Sequence, residues 1–332
     1  MNLITRNALA CALILSPTFA FACASCGCTL STDWENLGLS SQPGLQLDIR
    51  YDYLNQNQLR SGTSTISPFT ASRRINSGNP QEVEKYTKNN YLTVGLDYNF
   101  NSDWGIDVQL PYIVRSHSTL GTASDGTIPG DGGGQYDSKT SNVGDVKIIG
   151  RYQGFSPEHN VGVTFGVKLP AGSHNEFGIS SDPTTPGSAP IDRGLQPGTG
   201  TTDLILGAYL TDSLNQKWDY FIQGIFQTAL NSKDQYKPGN GLNLNLGLRY
   251  TDFSGFKPGV QLNVRHVQRD SGANADTVST GGTLVYLSPG VVVPINERMS
   301  IYGFVQLPIY QNVNGVQLAP RYTASIGARF SF

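Results

Sequence analysis

The ten residues Gly241-Leu-Asn-Leu-Asn-Leu-Gly-Leu-Arg-Tyr250 decide the fold. Leu242, Leu244, Leu246, Leu248 and Tyr250 share one phase, and Asn243, Asn245, Gly247 and Arg249 share the other. Successive side chains of a strand point to opposite faces, so this is a strand with one apolar and one polar face. A helix, with its period of about 3.6 residues, would scatter the same leucines around its axis. The pattern recurs near both ends of the chain. Leu45, Leu47, Ile49, Tyr51 and Tyr53 oppose Gln46, Asp48, Arg50 and Asp52. Tyr322, Ala324, Ile326, Ala328, Phe330 and Phe332 oppose Thr323, Ser325, Gly327, Arg329 and Ser331. Twelve such strands are predicted, over 45–55, 90–100, 104–114, 141–152, 161–169, 203–210, 218–230, 241–250, 259–269, 282–293, 299–310 and 321–332.

The spacing of these segments indicates where they reside. Taken in order, the odd gaps hold 34, 26, 33, 10, 12 and 10 residues and the even gaps 3, 8, 7, 8 and 5. Every odd gap exceeds every even one, which is the alternation of long outer loops and short periplasmic turns of an outer-membrane barrel. Strands of about 11 residues cross a bilayer when tilted. Aromatics such as Tyr98, Trp104, Trp218, Tyr250 and Tyr322 gather near strand ends, where interfacial girdles sit. We therefore expect an all-β chain, a transmembrane antiparallel up-and-down barrel of about twelve strands in the bacterial outer membrane. Its lipid-facing half would be apolar and its interior polar.

Composition agrees. Only 14% of the 332 residues are charged and 38% hydrophobic, with 38 glycines and 10% aromatics. Disordered chains are poor in aromatics. A formal net charge of −2 without a basic run argues against nucleic-acid binding. Beyond the N-terminus no apolar stretch reaches the roughly 20 residues of a membrane helix. Residues 1–22 carry Arg6, an apolar run from Ala8 to Leu15, Pro17 and Ala20-Phe21-Ala22, the marks of an export signal cleaved after Ala22 or Ala24. The expected division is a signal peptide over 1–22, a cysteine-containing periplasmic segment over 23–43 able to enter the lumen as a plug, and the barrel over 44–332. The terminal Phe332 resembles the signal read by the barrel assembly machinery.

Three short stretches carry a family resemblance: Gly144-Asp145-Val146, Val167-Lys168-Leu169-Pro170-Ala171-Gly172, and Gly198-Thr199-Gly200-Thr201-Thr202-Asp203-Leu204. With them the chain resembles the transporter-like outer-membrane proteins of the meta-pathway of phenol degradation. That family is related to outer-membrane transporters of fatty acids and aromatic hydrocarbons. The resemblance covers roughly 140–332, and Ala171 stands where the family usually has Thr. It implies a barrel that conducts small molecules.

The polar phase of each strand assigns candidate lumen residues: Asp48, Arg50, Asp52, Asp107, Lys147, Arg151, Lys168, Asp219, Arg249, Arg265, Arg269 and Arg329, with Asp97, Asp145 and Asp203 in the same phase. Buried charges normally pair, so these groups either fill and stiffen the interior or form opposed walls that orient a solute. Ile113, Ile149, Phe221, Ile225, Tyr302 and Phe304 share the inward phase. They suit an apolar or aromatic solute, or equally core filling. Cys23, Cys26 and Cys28 cluster after the signal. In the oxidising periplasm a disulfide is the default, and a thiolate metal site is the alternative. No other cofactor is expected. Gly27 replaces the His that haem attachment through C-x-x-C-H requires.

The four histidines are scattered and no metallohydrolase or phosphate-loop spacing occurs, so enzymatic activity is not expected. The expected partners are outer-membrane lipids, the assembly machinery and a small-molecule solute. The expected function is passive passage of small, hydrophobic or aromatic solutes. Two alternatives stay open: a structural barrel whose cysteine segment engages a periplasmic metal or redox partner, and a surface adhesin or receptor acting through its long loops.

Overall fold

The computed structural model describes residues 43–73, 83–120, 135–180 and 187–332. The signal segment, Cys23, Cys26 and Cys28 lie outside the described residues. Fifteen strands follow in chain order: β1 (Gly44–Gly62), β2 (Ser64–Thr65), β3 (Val83–Asn99), β4 (Trp104–Leu120), β5 (Gln135–Val143), β6 (Val146–Tyr152), β7 (Val161–Leu169), β8 (Phe177–Ser180), β9 (Gly187–Pro190), β10 (Asp203–Asn215), β11 (Trp218–Ala229), β12 (Gly241–Tyr250), β13 (Lys257–Val267), β14 (Gly282–Asn296) and β15 (Met299–Ser331). Among the described residues, one short helix, α1 (Pro68–Arg73), and one 3-10 turn, Arg193–Leu195, accompany them.

Eleven of these strands close a ring, β1-β3-β4-β6-β7-β10-β11-β12-β13-β14-β15 and back to β1, in which every neighbouring pair is antiparallel. Such a ring needs an even number of staves, and β15 supplies the missing one. Val313 and the residues before it pair with β14, whereas the residues from Val316 to Ser331 pair with β1. The chain reverses between them at Asn314-Gly315, where Gly315 takes φ 57°. With β15 counted twice, eleven elements make twelve staves, the number expected. β5 and β6 share one stave. β5 pairs with the outer part of β4 (Tyr112–Leu120) and β6 with the inner part (Trp104–Gln109), and Gly144-Asp145 lies between them.

The barrel is inside out relative to a water-soluble fold. Leu45, Ile49 and Tyr51 on β1 and Leu242, Leu244 and Leu246 on β12 are exposed, while Asp52, Asn245, Arg249, Thr323, Ser325 and Arg329 are buried. A continuous apolar outer face of this size is not tolerated in water, so it faces lipid. At the short-turn end, aromatic rings form runs: Trp104 packs on Tyr152 at 4.7 Å and Tyr152 on Phe155 at 4.8 Å. Trp218 packs on Tyr250 at 4.9 Å and Tyr250 on Phe253 at 4.8 Å. These are interfacial girdles, and the chain is a bacterial outer-membrane barrel.

Several expectations are corrected at the opposite end. β1 runs on to Gly62, β3 begins at Val83 and β4 reaches Leu120, so much of the expected first and second loops is strand. The expected loop over 311–320 is strand apart from the turn at Asn314-Gly315. Beyond the bilayer the outer face of a strand need not be apolar, so these extensions lose the alternation that betrays a strand. The third long loop folds into the β8–β9 hairpin, which adds to β5, and into the 3-10 turn. Ile191 and Leu195 of that loop pack against Tyr136.

Candidate functional site in the barrel lumen

The three stretches that carry the family resemblance converge on one buried cation. Asp145 sits in the break between β5 and β6, Lys168 near the end of β7, and Asp203 at the start of β10, directly paired with Lys168. Lys168 Nζ lies 2.9 Å from Asp145 Oδ2 and 3.2 Å from Asp203 Oδ2, and it also bonds the Thr199 hydroxyl. Asp145 accepts further bonds from Gly172 N (3.1 Å), Thr199 N (3.0 Å) and the Thr199 hydroxyl (2.9 Å). Asp203 accepts from Thr201 Oγ1 (2.7 Å) and Gln227 Nε2 (2.6 Å). Each carboxylate therefore has several donors, as buried charges require. Gly172 and Gly198 meet back to back, so closely that a β-carbon on either would overlap the other's backbone. This anchor fastens both ends of the 170–202 segment to the barrel. Above it, Arg193 donates to His174 O (2.6 Å) and Thr199 O (2.9 Å), and Arg115 reaches Gly194 O and Gln196 O.

A cavity of about 360 Å3 lies inside the barrel beside this anchor. Its floor is formed by Asp97, Arg151 and Tyr209, and its outer rim by Arg193, Tyr236 and Asp270. The walls carry an apolar set, including Pro111, Ile113, Ile149, Pro197, Ile205 and Ile225, interleaved with charged residues.

The charges are paired rather than segregated. Arg151 grips Asp97 through two bonds, at 2.8 and 2.9 Å, and also bonds Asn99. Arg50 pairs with Asp52 (2.8 Å), Arg329 with Asp48 (3.1 Å) and Arg249 with Asp219 (2.9 Å). Gln109 Nε2 donates to Asp107 (2.6 Å), and Arg265 donates to Asn243 (3.3 Å). Of the candidates, Arg50, Asp52, Asp107, Lys147, Arg151, Lys168 and Arg265 line the cavity. Asp48, Asp219, Arg249 and Arg329 point inward in the wall but do not reach it. Arg269 is corrected: β13 ends at Val267, and Arg269 is an exposed loop residue donating to Thr277 O. Past the end of the strand Asp270 turns inward, taking bonds from Gly239 N (2.8 Å) and the Tyr236 hydroxyl (3.0 Å). Burial pushes the Asp270 carboxyl up to about 6, with Asp276 adding to the rise.

Ile205 and Tyr209, in the inward phase of Asp203, join the lining as well. Arg193, Tyr236 and Asp270 lie on loops, where no periodicity reports direction. Tyr209 belongs to a group with Phe221, Val292, Tyr302 and Phe304 that packs together inside the barrel. Three of its rings lie on a directly paired glycine: Tyr209 on Gly162, Phe221 on Gly247 and Phe304 on Gly290. The Tyr302 ring lies over Gly327. A β-carbon at any of these glycines would overlap the ring, so the wall is recessed to receive it.

No protein-family model and no curated protein matches the chain. Among solved structures it is similar to an outer membrane channel from Pseudomonas putida F1, with a TM-score of 0.60 at 12% identity over 88% of this chain and 96% of that one. It is also similar to the beta domain of the Bordetella autotransporter BrkA, with a TM-score of 0.49 at 15% identity over 88% and 100%. The toluene transporter TodX of P. putida gives 0.48 at 9% identity over 89% and 92%. The first likeness is one of fold, and it agrees with the outer-membrane channel architecture that the family resemblance implied.

Proposed function

We propose that this barrel is a passive channel for small uncharged solutes of hydrophobic or aromatic character. The observation that carries the reading is the cavity itself. Its lining mixes isoleucine, proline and tyrosine with carboxylates and cations that largely satisfy one another. A lumen built to attract ions would hold an excess of one sign at its constriction. Here six cations, Arg50, Lys147, Arg151, Lys168, Arg193 and Arg265, meet six carboxylates, Asp52, Asp97, Asp107, Asp145, Asp203 and Asp270. An apolar solute enters such a site by displacing water from the isoleucine and proline surfaces, beside charges that are mostly held by one another or by polar neighbours. The resemblance to the phenol-degradation transporter-like family supports a barrel that conducts small molecules.

The test is flux into proteoliposomes made with residues 23–332 and with residues 44–332. The ring of strands closes within 44–332, so the shorter chain keeps every stave. Phenol and benzoate serve as neutral and anionic probes of similar size. Faster entry of phenol than of benzoate, above the rate of protein-free vesicles, is the expected result. Equal rates for the two, or rates equal to empty vesicles for both chains, refute the proposal. Conduction by the shorter chain alone identifies residues 23–43 as a plug.

A further inference from the structure

The cavity stops short of the group formed by Tyr209, Phe221, Val292, Tyr302 and Phe304, of which only Tyr209 reaches it. The group draws on β10, β11, β14 and the first half of β15, and its members are 2–6% exposed. Between its two sides stand β12 and β13. One row of direct cross-strand partners runs Asp219, Arg249, Gly259, Gly290 and Phe304. The next runs Phe221, Gly247, Gln261 and Ser288. The glycines in these rows leave room for rings from the flanking strands to meet across them.

We infer that these four rings with Val292 form a dry collar that seals the lumen against ions while letting uncharged apolar solutes pass. The inference rests on the channel reading above. A hydrated ion entering an apolar ring of side chains must shed water and needs a ligand to replace it. The charged groups beside the collar are already engaged: Asp219 is held by Arg249, Asp97 by Arg151, and Asp48 by the Tyr302 hydroxyl and by Arg329, whose guanidinium lies over the Tyr302 ring at 5.9 Å. An aromatic solute has no such requirement and finds ring faces of its own kind at the base of its cavity. The recessed glycines fit this role, since they keep the rings against the wall, where a modest rotation opens a passage.

A purely space-filling role predicts a different response to substitution, and the mature chain, residues 23–332, separates the two. Phe304→Leu and Phe304→Gln both replace the ring by a smaller side chain, but only the second brings a hydrogen-bonding group that holds water. Planar-bilayer conductance in potassium chloride is expected to rise at least tenfold for Phe304→Gln and to stay within twofold of the parent for Phe304→Leu. Folding of each variant is checked by its heat-modifiable mobility on gels, and the Phe221→Leu and Phe221→Gln pair serves if either Phe304 variant does not fold. Equal rises for the Leu and Gln variants mean that volume, not dryness, closes the lumen, and overturn the inference. Parent-level conductance in both does the same. Failure of the channel reading shows separately, as absence of phenol flux through the parent protein.

Discussion

Replacing Lys168 by methionine keeps the side chain's length and removes its charge. Two carboxylates, Asp145 and Asp203, then remain 7% and 4% exposed without the cation that lies 2.9 and 3.2 Å from them. Removing one partner of a buried ion pair costs about 3–5 kcal/mol, because the remaining charge is uncompensated. Here the remaining charges are two and of like sign, so the upper half of that range is expected. At about 1.4 kcal/mol per decade, the anchored state of the 170–202 segment should lose about three orders of magnitude or slightly more in population. The loss should be local. Gly172 N and Thr199 N donate to Asp145 and Gly198 N donates to Ser173 O, so these amides should exchange hydrogen faster by that factor. Amides of β14 and β15, on the far side of the ring from β7 and β10, should not change. Adding Asp145→Asn and Asp203→Asn to Lys168→Met should recover most of the protection, since the triple variant buries no net charge. Unchanged exchange at Gly172, Gly198 and Thr199 in Lys168→Met would refute the reasoning. A uniform rise across β14 and β15 would also refute it, because the cation would then support the whole barrel rather than one segment.

Other consequences follow from neighbouring groups. The raised Asp270 carboxyl means that folding favours its neutral form. Its destabilisation is absent below about pH 4, grows as pH rises through about 6 and is complete above it, reaching about 3 kcal/mol for the loops it ties. Limited proteolysis of the 231–240 and 268–281 loops should therefore be slower at pH 5 than at pH 7.5, and Asp270→Asn should remove the difference. Gly290→Val places a branched side chain where the Phe304 ring lies and should lower stability by about 1–3 kcal/mol in urea titrations, with a wild-type midpoint counting against the recessed seat. Arg151→Met leaves Asp97 buried without its two bonds and should cost about 3–5 kcal/mol, whereas Arg269→Ala, on an exposed loop, should stay within about 0.5 kcal/mol.

Sequence periodicity reported the fold wherever both environments of a strand differed along its whole length. β7 and β12 occupy the expected 161–169 and 241–250 because lipid lies on one side and the polar lumen on the other from end to end. Gln56-Asn57-Gln58, by contrast, is strand that reads as loop, since it has left the apolar band and both of its faces accept polar side chains. Phase also gave direction: Ile113, Ile149 and Ile225 face the cavity, and Phe221, Tyr302 and Phe304 face one another, as their alternation required. Phase does not give neighbours. Nothing in the spacing of Asp145, Lys168 and Asp203 announces that one ammonium would sit between two carboxylates.

That neighbourhood is fixed by register, and the β7–β10 pair shows how tightly. A slip of one residue would turn every lumen side chain toward lipid. A slip of two would preserve the faces and so escape the apolar pattern altogether. It is blocked by two unrelated chemistries within the same strand pair: Asp203 stands opposite Lys168 near one end, and Tyr209 opposite Gly162 near the other. Shifted by two, Lys168 would face Ile205 or Thr201 instead of the carboxylate, and the Tyr209 ring would meet the side chain of Thr164 or Asn160 in place of its glycine. The ion pair and the ring seat thus hold one alignment that hydrophobic patterning alone leaves free, and the same alignment sets the anchor beside the cavity and the cavity above the collar.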